Sequence, residues 1–77
     1  MKTPRFELLK QEEKNPVIVR EYILNDEEEE ITIVYTEILT QEEAVIDTFM
    51  TDQYGDTFSE DEYPGLLKEV QDFLFPQ

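Results

Sequence analysis

The residues able to carry chemistry in this chain are almost all carboxylates. Twenty of its 77 residues are Asp or Glu, against six Lys or Arg, and it holds no histidine and no cysteine. The missing histidine removes the commonest general base and the commonest zinc ligand, and the missing cysteine removes thiolate metal sites and disulfides. Serine and threonine hydroxyls then have no imidazole to activate them. The two glycines, Gly55 and Gly65, make no phosphate-cradling loop. General acid–base catalysis by a carboxylate pair requires two groups in different environments. Only Glu37 falls in an apolar alternation, with Ile33, Tyr35 and Leu39, and its place near a strand end predicts a rim position. The chain reads as a non-enzyme.

Metal chemistry is the other use for many carboxylates. The run from Asp52 to Glu62, "DQYGDTFSEDE", looks like a calcium loop but lacks its spacing. With Asp52 at position 1, position 3 is Tyr54, position 6 is Thr57 and position 12 is Tyr63. In "NDEEEE", Asn25 to Glu30, neighbouring strand residues would point to opposite faces and not converge on one ion. Neither a metal nor another cofactor is expected.

What the carboxylates do make is a field. Residues 1–20 hold five bases and three acids, whereas residues 21–77 hold 17 acids and one base, Lys68, a net −16 within a chain total of −14. Such a surface repels nucleic acid and anionic membranes and attracts basic protein surfaces. Two segments concentrate it: Asp26, Glu27, Glu28, Glu29 and Glu30 in one, and Asp52, Asp56, Glu60, Asp61 and Glu62 in the other. Tyr54, Phe58 and Tyr63 interleave with the second, an arrangement resembling an interface anchor ringed by charge. Tyr54, beside Gly55, is the expected exposed anchor, while Phe58 and Tyr63 are candidates to fold back onto the core. A charged hairpin tip also keeps a sheet soluble and discourages edge pairing. Two or three acids would suffice for that, and adjacent like charges repel over a Debye length of about 8–10 Å.

The elements positioning these groups follow from periodicity. Phe6–Lys10 reads as a short strand and "QEEKNP" as a turn. Val17 to Leu24 reads as a strand apolar on both faces, which suits a central position. Ile31 to Leu39 is the clearest strand, with Ile31, Ile33, Tyr35 and Leu39 on one face and Thr32, Val34, Thr36 and Ile38 on the other. A turn at Asn25-Asp26 would pair the two antiparallel across the acidic tip. Thr40-Gln41-Glu42-Glu43 has the form of a capping box and predicts a helix with the stripe Val45, Ile46, Phe49 and Met50, ending near Asp52. A last helix carries Tyr63, Leu66, Leu67, Val70, Phe73 and Leu74 on one face, with Ser59 or Asp61 as cap, Pro64 in its first turn and Pro76 as its stop. The expected fold is one α+β domain over residues 1–77: a small antiparallel sheet of about three strands followed by two helices packed on one face.

No apolar run approaches the roughly 20 residues that span a bilayer. "MKTPRFELLKQEEK" lacks the apolar core of a signal peptide, which makes the cytoplasm the expected compartment. In charge, size and composition the chain resembles acidic inhibitors that occupy the DNA- or RNA-binding groove of an enzyme, as many phage anti-defence proteins do. That resemblance implies a DNA mimic whose partner is the basic surface of a nucleic-acid-binding protein. An extended acidic strand rises about 3.3–3.4 Å per residue, close to the rise per phosphate on one DNA strand. The alternative is an acidic adaptor, a subunit that binds through an apolar sheet face carrying Ile18, Tyr22 or Val34.

Overall fold

The computed structural model describes residues 4–14 and 16–76. Four strands, β1 (Phe6–Lys14), β2 (Val19–Asp26), β3 (Ile31–Leu39) and β4 (Val45–Thr51), precede one helix, α1 (Leu66–Leu74). The strands form an antiparallel meander in chain order, β1-β2-β3-β4. β2 is central, as its two apolar faces predict, and it pairs with β3 across the acidic tip with Asp26 opposite Ile31.

The expectation of three strands and two helices is overturned: the segment expected as the first helix is β4. Thr40 does accept local backbone hydrogen bonds through Oγ1, from the N–H of Glu42 (3.3 Å) and of Ala44 (3.1 Å). It closes a hairpin loop instead of a helical turn. The Thr40 N–H donates to the Ala44 carbonyl (2.9 Å), the Glu43 N–H donates to the Thr40 carbonyl (3.0 Å), and Glu43 adopts a left-handed φ of 64°. This is the three-residue loop that ends in an αL position. Val45, Ile46, Thr48 and Thr51 are β-branched and stiff at χ1. Pairing them with β3 satisfies that strand's second edge, a gain no helix there would supply.

Boundaries shift for similar reasons. Gln11–Lys14, expected in a turn, extend β1, and the first hairpin bends at Pro16–Ile18 instead. Val17 sits there at φ 74°, an uncommon conformation for a β-branched residue. The second turn is Glu27–Glu30 instead of Asn25-Asp26, closed by the Glu30 N–H on the Asp26 carbonyl (2.8 Å).

One sheet face carries the core. Phe6, Tyr22, Leu24, Ile33, Tyr35 and Met50 are buried there with Leu66 and Val70 of α1, and Tyr63, Leu67, Phe73 and Leu74 pack around them. The helical stripe read from the sequence is thus the stripe that docks. The helix begins later than its expected caps. Ser59 Oγ receives the Asp61 N–H (3.2 Å) in a preceding turn, while Gly65, at φ 76°, is the residue at the helix start. Aromatic contacts close the far end, with Phe75 edge-on to Tyr22 at 5.8 Å between centroids.

Candidate acidic interface

The tip and the second acidic segment come together at one end of the sheet. From β4 the chain turns tightly at Asp52. Asp52 Oδ1 accepts the N–H groups of Tyr54 (2.8 Å) and Asp56 (3.0 Å), and Gly55 supplies φ 90°. The chain then returns along the outer edge of β4, with Thr57 bridged to Thr51 and the Phe58 N–H on the Met50 carbonyl (3.4 Å). That return lays the loop beside the start of β3. The result is an open cleft of about 540 Å³ lined by Glu30 from the tip and by Asp52, Asp56 and Glu62 from the loop. Its apolar lining includes Ile31, Tyr54, Phe58 and Tyr63. None of the described lining residues is basic.

Phe58 and Tyr63 meet edge to face at 5.5 Å and both pack against the core, whereas Tyr54 stays 82% exposed at the loop tip. A neighbouring hollow of about 240 Å³ is lined by Glu28, Glu29, Glu62 and Glu69 around Arg5, so the two acidic segments adjoin there across one cation. Glu27, Glu28, Glu29 and Glu30 are all exposed. Glu60 and Asp61 are exposed but lie outside the cleft lining, and Glu60 Oε2 accepts the Gly65 N–H (3.3 Å) at the helix start.

Asp26 is a different kind of acid from its neighbours. It is fully buried, at 0% exposure, and so presents no surface to a partner. Its carboxylate accepts Nε and Nη2 of Arg5, both at 3.0 Å, and the N–H groups of Glu28 (3.0 Å) and Glu29 (3.2 Å). Arg5 in turn approaches Glu28 (3.5 Å) and pairs with Glu69 of α1. The hydrogen bond to Asp26, reinforced by these carboxylates, holds the guanidinium charged even more firmly than usual. One cation thereby ties the start of β1, the acidic turn and the helix together. In the sequence Arg5 stands out only as one of the five bases of residues 1–20. Its pairing across the fold had no local signal beyond the rarity of bases.

Glu37 also departs from its expected rim position. It is 4% exposed, and its Oε1 lies 3.7 Å from Arg20 Nη1 and has no hydrogen-bond partner among the described residues. Burial raises the pKa of nearby Tyr22, the Glu37 charge adds to that, and Arg20 opposes it.

No protein-family model, curated protein or solved structure matches this chain. Among the described residues, no group of three or more Asp and Glu side chains is arranged to hold a metal ion. No helix among the described residues is long and apolar enough to cross a membrane.

Proposed function

We propose that this protein is a non-enzymatic inhibitor that acts in the cytoplasm by occupying a basic, nucleic-acid-binding surface of a partner protein, as a DNA mimic of the anti-defence type would. The observation that supports this reading is the convergence of Glu30 with Asp52, Asp56 and Glu62 around one cleft, with Tyr54 exposed at the loop tip and Glu28 and Glu29 in the adjoining hollow. Carboxylates held at one end of a rigid sheet speed encounter with a cationic surface. The exposed tyrosine adds an anchor of low conformational cost. Asp26 acts behind them, holding the turn in shape. The partner is a protein; neither nucleic acid nor membrane binds directly.

A salt-ladder pull-down from host lysate tests this, with mass spectrometry on each fraction and displacement by added DNA or RNA. The expected result is a nucleic-acid-processing protein released at moderate salt and displaced by nucleic acid. Converting Glu27, Glu28, Glu29 and Glu30 to Gln should then slow association about tenfold at low salt. Unchanged inhibition by that variant would reject this surface.

A second reading, an adaptor subunit docking through an apolar sheet face, draws on the face of the sheet opposite α1. Val34 lies on that face, whereas Tyr22 is in the core beneath the helix. Partner capture that survives high salt and ignores nucleic acid would favour it.

A further inference from the structure

The sheet face opposite the helix is patterned to match a second copy of itself. Strand pairing sets its side chains in rows across β1, β2, β3 and β4. One row reads Lys14, Val19, Ile38, Asp47; the next reads Glu12, Glu21, Thr36, Phe49; the third reads Lys10, Ile23, Val34, Thr51. The first row has a cation at one end, an anion at the other and two aliphatic residues between. Turned end for end, it complements itself.

Two arrangements bring such faces together by a two-fold axis lying between them. An axis across the strands keeps β1 over β1. It sets Lys14 against Lys10 of the other copy, Glu12 against Glu12 and Glu21 against Glu21. An axis along the strands sets β1 over β4. Lys14 then faces Asp47 twice, Val19 faces Ile38, Ile23 faces Val34, Glu12 faces Phe49 and Glu21 faces Thr36, with no like charges opposed. With the shorter fourth row, Glu7, Asn25 and Thr32, the face carries two lysines and four acids, a net −2 in a chain of net −14. A second acidic copy meets less repulsion there than at the acidic tip. The lysines are locally neutralised, Lys10 by Glu12 at 2.8 Å and Lys14 by Glu21. The apolar residues are partly open, with Phe49 38% exposed.

We infer that the protein self-associates through this face as a two-fold, sheet-on-sheet dimer with β1 over β4 of its partner copy. Four strands about 4.8 Å apart and rows spanning about 20 Å give on the order of 800 Å² of flat face over both copies, which belongs to weak, reversible association. The same axis brings both acidic tips to one end of the dimer, where their repulsion opposes it and added salt relieves that repulsion. This inference is independent of the proposed inhibitory site.

Sedimentation equilibrium from about 10 μM to 1 mM tests it, with the fold of each variant checked by circular dichroism. A monomer–dimer equilibrium strengthened by salt is expected. Lys14→Asp and Asp47→Lys should each weaken it tenfold or more, the double exchange should recover most of the loss, and Val34→Asp should abolish it. The Gln variant of the acidic tip should dimerise at least as well as the parent. A chain monomeric at 1 mM overturns the inference, as does a dimer indifferent to the single exchanges or not restored by the double one. Capture of some other protein by this face without dimer formation also overturns it.

Discussion

Asp26 and Arg5 give the sharpest test of how the acidic end is built. Replacing Asp26 by Ala deletes two charge-assisted hydrogen bonds and two from backbone N–H groups. Charge-assisted bonds contribute about 1.5–3 kcal/mol each. The Arg5 side chain is 24% exposed and retains Glu28 and Glu69 as partners, so the two bonds together are discounted for solvent screening to about 2–3 kcal/mol. Each backbone N–H lies in an exposed turn and loses a cap-like bond worth about 0.5–1 kcal/mol. The expected loss is about 3–5 kcal/mol, the range for removing one partner of a buried pair. A domain of this size has about 4–12 kcal/mol in all. The melting temperature should therefore fall by about 12 °C or more. Urea denaturation followed by circular dichroism measures the loss. Arg5→Met should cost a comparable amount, and Arg5→Met with Asp26→Leu should cost clearly less than the two singles added. Glu28→Gln, at an exposed neighbour, should stay within about 0.5 kcal/mol. An Asp26→Ala variant that loses under about 1 kcal/mol would refute the clasp, as would additive single costs.

Other perturbations separate display from support. The Gln variant of Glu27–Glu30 should melt no lower than the parent, because it removes mutual repulsion and no buried bond; a fall of several degrees would show that these side chains hold the turn. Gly65→Ala has open space for its methyl but must keep φ 76°, so a loss of about 1–2 kcal/mol from backbone strain alone is expected in denaturant titration. Tyr22 has a pKa raised by burial, so the folded state prefers the neutral phenol. Its contribution is whole below the ordinary tyrosine range and is lost as pH rises through the folded pKa, so alkaline unfolding should move to higher pH in Tyr22→Phe. Tyr54→Ala should leave the melting temperature unchanged while shortening the lifetime of the partner complex in surface-plasmon measurements.

Much of the chain is legible because its periods are clean. Ile31–Leu39 alternates cleanly, and Val17–Leu24 is rich in β-branched residues although its strand runs Val19–Asp26 with Val17 and Ile18 in the turn; the antiparallel pairing of the two follows from the turn between them. The last helix announces its docking stripe, and all six of its expected residues are in or against the core. β4 was hidden because Val45, Ile46, Phe49 and Met50 satisfy a helical stripe as well as they satisfy a strand. Thr40 and Glu43 form a local pattern shared by a capping box and a hairpin loop. Only an unpaired edge on β3, a neighbour not contained in that local window, separates the two.

The same division runs through the acidic site. Composition by itself determines the sign and excess of charge, the lack of imidazole and thiol chemistry, and the exposure of a tyrosine beside a glycine, since those depend on residue type and local turn chemistry alone. Which acids share a surface was decided by tertiary structure. The loop after β4 runs back along that strand's edge and brings Asp52, Asp56 and Glu62 to Glu30. Asp26 and Glu28, two residues apart, were set on opposite sides of the burial boundary by Arg5, 21 residues from Asp26 along the chain. Charge is a property of each residue, but desolvation and pairing depend on what the fold brings within a few ångströms of it.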